Sequence, residues 1–551
     1  MKTAKLKCVI IVTYFLIASI SAVKSSTEEL TNVKRSDFPH EFLFGAATSA
    51  YQVSVFLFSK CLTLSLSSSL HFQVEGAFHE DGKSLSNWDI FCHIDGNVID
   101  GSNAEIADDH YHRFMEDIEI MESLGLTAYR FSISWSRVLP RGKLGVINQV
   151  AIDFYSKIID NLVLRGIRPF VTLFHFEFPH ELEERFGGWL SPLMQEEYVY
   201  FAEVCFRSFS DRVKHWLTFN EINLYAEFAY ERAVFPPLRC SPPFGDCASG
   251  NSDVEPLVVA HNMLLAHGQA AKLYREKFKS KMDGVLGITV SAFMYVPLTD
   301  DENDKEAANR ALAFNNGWTL DPLVFGEYPP EMRKIHGSEL PRFSAEQSLL
   351  LSKSIDFIGI NHYGTLYAKD CIHSGCICND SSCTAGSDRA IRGYVYTAGE
   401  RDGIPIGERT GMDRFYVVPR GMEDIVDYIK ERYNNVPMFV TENGFSYPVE
   451  KDDSFQLHDV GRIQFHRSYL AHLAQAIRKG GDVRGYFVWS LMDNFEWSNG
   501  YGIKFGLYQI EHPTLKRIPK LSATWYTDFL NKSTIFDAPI SCNDASRLQS
   551  Q

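Results

Sequence analysis

The sequence predicts a single α/β unit, a (β/α)8 barrel of the TIM type, on three observations. Eight short runs rich in β-branched and aromatic residues each turn abruptly polar at their C-terminal end. The runs are apolar throughout rather than alternating, as strands of a parallel sheet covered on both faces are. Amphipathic helical periodicity separates them, and no Pro/Ser-rich linker divides the 551 residues into several units. A doubly wound open sheet is the competing architecture, but the Gly-rich nucleotide turn expected after its first strand is missing.

In chain order, residues 1–22 open with Lys2, Lys5 and Lys7, continue as an apolar run from Val9 to Ile17, and end in small residues around Ala18, Ser21 and Ala22. That layout is a secretory signal peptide, and its apolar run is too short to span a bilayer comfortably. The mature chain is therefore expected in the secretory pathway, extracellular or vacuolar, without membrane association. Asn379 and Asn531 head Asn-X-Ser sequons and are expected glycosylation sites. The barrel domain is placed at 38–530 and a tail at 531–551.

The eight strand-like runs lie at 42–50, 128–135, 168–177, 215–221, 284–293, 356–363, 437–444 and 485–497. Helical spacing is clearest at Ile152, Tyr155, Ile158, Ile159, Leu162 and Val163 before the third run. It recurs at Met422, Ile425, Val426 and Ile429 before the seventh. The net charge is −15, with Lys and Arg scattered, which excludes a polyanion-binding surface and hence nucleic acid as a partner.

One stretch does not fit. Residues 53–73 are almost wholly Ser, Leu and Phe, and deleting Val53 to Gln73 joins the flanks into "SAYQVEGAFHEDG". The tract is therefore read as an anomalous insertion, an in-frame retained intron or a misplaced exon boundary, with a true functional loop as the alternative. An exposed apolar run directly after Gln52 invites aggregation.

Of 11 cysteines, Cys8 falls in the signal segment and Cys61 in the tract. Cys240 and Cys247 bracket "RCSPPFGDC", and a short-range disulfide is expected between them. Cys371, Cys376, Cys378 and Cys383 share a Ser-rich loop where disulfides compete with a zinc site; secretion favours disulfides, and no metal is assigned.

Barrels of this type place their active site at the C-terminal strand ends. Found there are Arg130, His175, Asn220, Glu221, Asn361, Tyr363, Glu442, Asn443 and Glu496, the last between Trp489 and Trp497. Carboxylates, amides and indoles converging on one cavity describe a sugar site. Glu221 and Glu442 suit glycosidic cleavage, in which one carboxyl protonates the leaving oxygen while a second attacks the anomeric carbon.

"TFNEIN" (218–223) together with "VTENG" (440–444) resembles the two catalytic signatures of glycoside hydrolase family 1, and the resemblance extends from about Phe38 to Tyr526. It implies Glu221 as the catalytic acid/base and Glu442 as the nucleophile. Gln52, His175, Asn220, Glu496 and Trp497 resemble the family's glycone-binding set, with Trp489 as the platform beneath the sugar. Tyr363 joins these substrate-binding residues and, with Arg130, resembles the pair flanking the nucleophile; Asn361 is expected to support the nucleophile too. Glu221 stands where thioglucosidases of the family carry Gln, and Glu496 would repel a 6-phosphate. Phe176, Glu177 and His180 of "HFEFPH" depart from many relatives and are expected at the rim. "GMDRFYVVPRG" lacks the Trp that many plant members use against the leaving group.

The resemblance therefore implies a plant β-glucosidase. It would be a retaining enzyme that hydrolyses terminal β-D-glucosyl residues of small O-glucosides, without cofactor. Alternatives are an acyl-glucose-dependent glucosyltransferase using the same covalent intermediate, and an inactive sugar-binding form disabled by residues 53–73. The partner is a small-molecule glucoside; a homodimer stays open.

Overall fold

The computed structural model describes residues 33–52, 54–55, 80–103, 106–376, 385–448, 454–511 and 514–531. The signal segment 1–22, Asn379, Cys378, Cys383 and the tail beyond Asn531 lie outside the described residues, as does the tract 53–73 apart from the backbone of Ser54 and Val55.

Eight parallel strands close into a barrel: β1 (Leu43–Ala47), β2 (Ala128–Ser132), β3 (Arg168–Phe174), β4 (His215–Asn220), β5 (Val285–Ser291), β6 (Phe357–Asn361), β7 (Met438–Asn443) and β8 (Val483–Trp489). Each pairs with its neighbour in this order, and β8 returns to β1, so that Ala47 lies opposite Arg130 on β2 and Trp489 on β8. All eight runs seen in the sequence form strands of this barrel, and its closure excludes the open sheet.

The helices that cover the barrel include α1 (His110–Leu124), α2 (Gln149–Leu164), α3 (Leu193–Phe209), α4 (Ile222–Tyr230), α5 (Glu255–Tyr274), α6 (Ala345–Leu351), α7 (Arg420–Arg432), α8 (Val460–Arg478) and α9 (Leu521–Leu530). Helix α2 begins where the Asn148 side chain accepts from the Val150 N–H at 3.2 Å, a cap worth roughly 1 kcal/mol. It buries Ile152, Tyr155, Ile158, Ile159 and Leu162, whereas Val163 turns to solvent at the edge of the stripe. On α7 the residues Met422, Ile425, Val426 and Ile429 are all buried, as their spacing requires. Among the described residues no helix is long and apolar enough to cross a membrane.

Inside the barrel Phe170, Phe357, Phe439 and Phe487 form an aromatic plug, with Phe170 at 4.8 Å from Phe487 and 5.2 Å from Phe439 between ring centroids. The plug continues upward through Leu217 to Tyr363 and Trp489, making the barrel a packed core rather than a pore. The polar groups at the C-terminal strand ends therefore rest on an apolar floor.

Cys240 and Cys247 form a disulfide between β4 and β5, and Cys371 pairs with Cys376 between β6 and β7. The second bond corrects the zinc alternative, because two of its four thiols are already consumed. Cys92 and Cys205 are buried and belong to neither disulfide.

Candidate active site

Strand irregularities aim the site. Pairing of β7 with β6 shifts register between Val440 and Glu442, and pairing of β4 with β5 shifts between Leu217 and Asn220. Such a shift breaks the two-residue alternation of side chains. Thr441 and Glu442, although consecutive, both hydrogen-bond within the mouth. Glu221 follows β4 with φ 47, and Phe176 (φ 70) and Trp497 (φ 51) are left-handed as well. This backbone costs a non-glycine residue about 1 kcal/mol or more and is tolerated where the surrounding structure demands it.

Glu442 is held from two sides. The Arg130 guanidinium donates to one carboxylate oxygen, and the Tyr363 hydroxyl donates to the other at 2.7 Å. Arg130 is completely buried and is itself fixed by Thr172, which accepts from its Nε at 3.2 Å. A buried guanidinium stabilises the charged form of its neighbour, and the phenol directs it.

Glu221 belongs to the same network. Arg130 Nη2 donates to Asn220 Oδ1 at 2.7 Å, Asn361 Nδ2 donates to that oxygen at 3.1 Å, and Asn361 Nδ2 also donates to Glu221 Oε1 at 3.0 Å. The Glu221 carboxyl is pushed up to about 8, first by burial and then by the negative charge of Glu442. It therefore holds a proton at neutral pH, as an acid must.

Two expectations are corrected here. Asn361 supports the nucleophile less directly than expected, since its amide bonds Glu221 and Asn220 while Thr441 donates to its oxygen at 2.8 Å. Glu177 is no rim residue: it is buried and accepts from the Trp135 N–H at 3.0 Å and the Ser136 N–H at 3.2 Å, closing the start of a short helix. An internal carboxylate that satisfies helix N–H groups needs no solvent.

The expected glycone residues converge. Gln52 Nε2 donates to Glu496 Oε2 at 3.3 Å, its carbonyl accepts from the Phe495 N–H, and its side-chain oxygen accepts from Ser49 Oγ at 2.9 Å. His175 lies 5.9 Å from both Trp489 and Trp497, each stacked at 20°. The Asn220 oxygen is occupied by Arg130 and Asn361, so its amide nitrogen faces His175 Nε2 at 3.2 Å and donates to it. That leaves the proton on His175 Nδ1, which is buried with no hydrogen-bond partner among the described residues and suits a ligand hydroxyl. Burial, reinforced by Arg130, lowers the His175 pKa well below its usual range, so the ring stays neutral.

Burial first and Glu442 second push the Glu496 carboxyl from 4.5 to about 8. The folded state then binds more protons than the unfolded chain between these values, so stability falls as pH rises through this window, and the loss is complete above about 8. Glu496→Gln is expected to raise the unfolding free energy at pH ~8 by on the order of 2 kcal/mol, with little change at pH ~4, while weakening sugar binding. Urea titrations at the two pH values check this; equal effects would contradict it.

Some site residues escaped the sequence reading. Thr441 and Thr172 orient Asn361 and Arg130. Phe415 stacks on Tyr363 at 5.0 Å and 19°. The threonines carry a signal in hindsight, since both lie on strands whose ends bear site residues; Phe415 lies within "GMDRFYVVPRG", the segment noted only for lacking a Trp. Asn531 ends α9 and is exposed.

A closed (β/α)8 barrel with two carboxyl groups at its C-terminal mouth, one paired with arginine and tyrosine and the other kept protonated beside an amide, defines a glycosyl hydrolase. Residues 58–535 match the family model described as Glycosyl hydrolase family 1, and the chain belongs to that family. It is 49% identical over 506 residues to a probable inactive beta-glucosidase 14 of Oryza sativa subsp. japonica, covering 91% of this chain and 92% of the relative. It is 48% identical over 507 residues to a coniferin beta-glucosidase of Pinus contorta, covering 90% and 92%. The crystal structure of rice Os3BGlu6 β-glucosidase matches with TM-score 0.82 and 41% identity over 90% of this chain and 99% of that one. A mutant of the same rice enzyme stands in a covalent complex with Glc from GA4GE.

Proposed function

We propose that this protein is a retaining β-glucosidase that hydrolyses terminal β-D-glucosyl residues of small O-glucosides by double displacement. The observation that carries this reading is the difference between the carboxyls: Glu442 is paired with Arg130 and Tyr363, and Glu221, beside Asn361, is raised to about 8 by burial and by Glu442. Glu442 attacks the anomeric carbon while Glu221 gives its proton to the leaving oxygen. Glu221 then takes a proton from water as water displaces Glu442. The covalent glucose on the rice relative supports the intermediate. Turnover of 4-nitrophenyl β-glucoside with retention, followed by proton NMR of the first-formed anomer, tests the reading; first formation of the α-anomer would overturn it. One relative is named inactive, so the same assay decides whether this chain is catalytic. Adding an acceptor alcohol measures any glucosyl transfer.

The family match begins at residue 58, leaving out β1, although β1 pairs with both β2 and β8 in the closed barrel. The reading of residues 53–73 as an insertion rests on the flanks, which join into "SAYQVEGAFHEDG" when the tract is removed. Removing Val53 to Gln73 is expected to increase soluble yield, raise the melting temperature and raise kcat/KM severalfold. A less stable or less active shorter chain would establish the tract as a working loop.

The proposed location is the secretory pathway, extracellular or vacuolar. The two disulfides support it, since such bonds persist in oxidising compartments.

A further inference from the structure

Asn223 ends the motif "TFNEIN", two residues beyond Glu221, and is 3% exposed. Its Oδ1 accepts from the Ser291 N–H at 3.2 Å, while its Nδ2 donates to the Ser291 carbonyl at 2.9 Å and to the Asn315 carbonyl at 3.1 Å. All three partners are backbone groups. An N–H only donates and a carbonyl only accepts, so these partners fix which end of the amide carries oxygen.

The turn that Asn223 serves is the one that presents the acid. Glu221 has φ 47 and stands at the start of α4, which has no side-chain cap. A left-handed glutamate persists only where its surroundings over-determine it. Its N–H donates to the Thr289 carbonyl at 2.9 Å, and its carbonyl accepts from the Tyr225 N–H at 2.9 Å. Asn223 adds a second attachment to the same strand: Thr289 of β5 holds Glu221, and Ser291 of β5 holds Asn223. Two tethers set the direction of the turn as well as its place, which a single tether leaves free to rotate.

The anchors are themselves braced. Ser291 lies opposite Asn361 in the pairing of β5 with β6, and Asn361 donates to Glu221 Oε1. The path from the Glu221 backbone through Asn223, Ser291 and Asn361 therefore returns to the Glu221 carboxyl. Asn315 sits in a turn of π-helix, Ala313–Gly317, a distortion frequent at functional sites. Its Oδ1 accepts from the Phe293 N–H at 3.2 Å, and Asn316 Nδ2 donates to the Phe293 carbonyl at 3.3 Å. Replacing Asn223 leaves these bonds in place, and it leaves Glu442 with Arg130 and Tyr363. The loss falls on the turn that carries the acid.

We propose that Asn223 is a positioning residue for proton delivery: its amide, bonded to Ser291 and Asn315, aims the Glu221 carboxyl at the leaving oxygen. This rests on the β-glucosidase reading above and deepens it.

Phenyl and 2,4-dinitrophenyl β-glucosides test it, because the first leaving group needs a proton and the second departs without one. In Asn223→Ala, kcat/KM for the phenyl glucoside is expected to fall by roughly 10²-fold, the loss that a misplacement of about 1 Å brings, while the dinitrophenyl glucoside stays within about threefold of wild type. These values report only the steps up to the covalent intermediate, so the later work of Glu221 as a base does not enter. Asn262 is the matched control. It is 6% exposed on α5, donates to the Trp189 carbonyl at 2.9 Å and accepts from Gln195 Nε2 at 2.9 Å within the helical layer. Asn262→Ala should lower the melting temperature and leave the ratio of the two substrates unchanged, as a merely structural Asn223 would. Asn223→Ser keeps a hydroxyl for one of the backbone groups and should give an intermediate ratio. A ratio that stays at the wild-type value in whichever Asn223 variant folds, or an equal shift in Asn262→Ala, overturns the proposal; failure of both Asn223 variants to fold overturns it in favour of a structural residue. Wild-type protein that hydrolyses neither substrate would instead overturn the β-glucosidase reading, and the inference with it.

Discussion

Glu442→Ala is expected to lower kcat/KM for an aryl β-glucoside by about 10⁴-fold or more, equivalent to roughly 5 kcal/mol of barrier at 1.36 kcal/mol per tenfold. No covalent intermediate can form without the carboxylate. The substitution also leaves the guanidinium of Arg130 buried without its charged partner, although its contacts to Thr172 and Asn220 remain. A small anion can fill that vacancy and neutralise the arginine. Added azide should therefore restore part of the reaction and yield the α-glucosyl azide, because attack comes from the face Glu442 occupied. The lost counter-charge also costs stability, about 3–5 kcal/mol for a broken buried pair, so Glu442→Gln provides a gentler control. Activity within tenfold of wild type, or a β-configured azide product, would refute the assignment of Glu442 as nucleophile.

Glu221→Gln should separate substrates by their leaving groups. An amide oxygen still accepts from Asn361 Nδ2, so the geometry is preserved while the transferable proton is lost. Alkyl and simple phenyl glucosides are expected to slow by roughly 10²–10⁴-fold. A dinitrophenyl glucoside, which leaves without a proton, should form the intermediate almost normally and then stall, because no base activates the water. Equal losses on both kinds of substrate would argue against the acid role.

The same residue determines the alkaline side of the pH profile. A carboxyl raised to about 8 is protonated below that value, so acid catalysis is lost as pH rises through it. The limb should flatten in Glu221→Gln with a dinitrophenyl substrate. In Glu442→Gln the neighbouring charge is gone, and a carbon-13 titration should show Glu221 moving down. It should stay above the ordinary carboxyl range, since burial is the larger cause of the shift. Burial ranks ahead of the negative neighbour in holding the proton on Glu221.

The legibility of the molecule follows interaction range. The eight strands were readable because each is buried on both faces and so must be continuously apolar, a local property. Glu221 and Glu442 were readable because the residues beside them, Asn220 before one and Thr441 and Asn443 around the other, form short contiguous motifs. Glu177 was misplaced because its partners, the N–H groups of Trp135 and Ser136, lie about forty positions earlier. Asn361 was credited to the other carboxyl because it lies opposite Glu442 on the adjacent strand β7, while its side chain reaches past β5 to Glu221 at the end of β4.

The sequence by itself determined the barrel, the amphipathic α2 and α7 and the Cys240–Cys247 bond, which rest on spacing along the chain, and it singled out Glu221 and Glu442 through short motifs that resemble the family's. Tertiary structure alone decided how those acids differ. Two glutamates of the same intrinsic acidity come to differ because folding brings Arg130 from 312 positions away against Glu442 and leaves Glu221 buried beside an amide and a negative charge, which raise its carboxyl. Charge interactions weaken with distance in space, not in sequence, and a low-dielectric interior magnifies them.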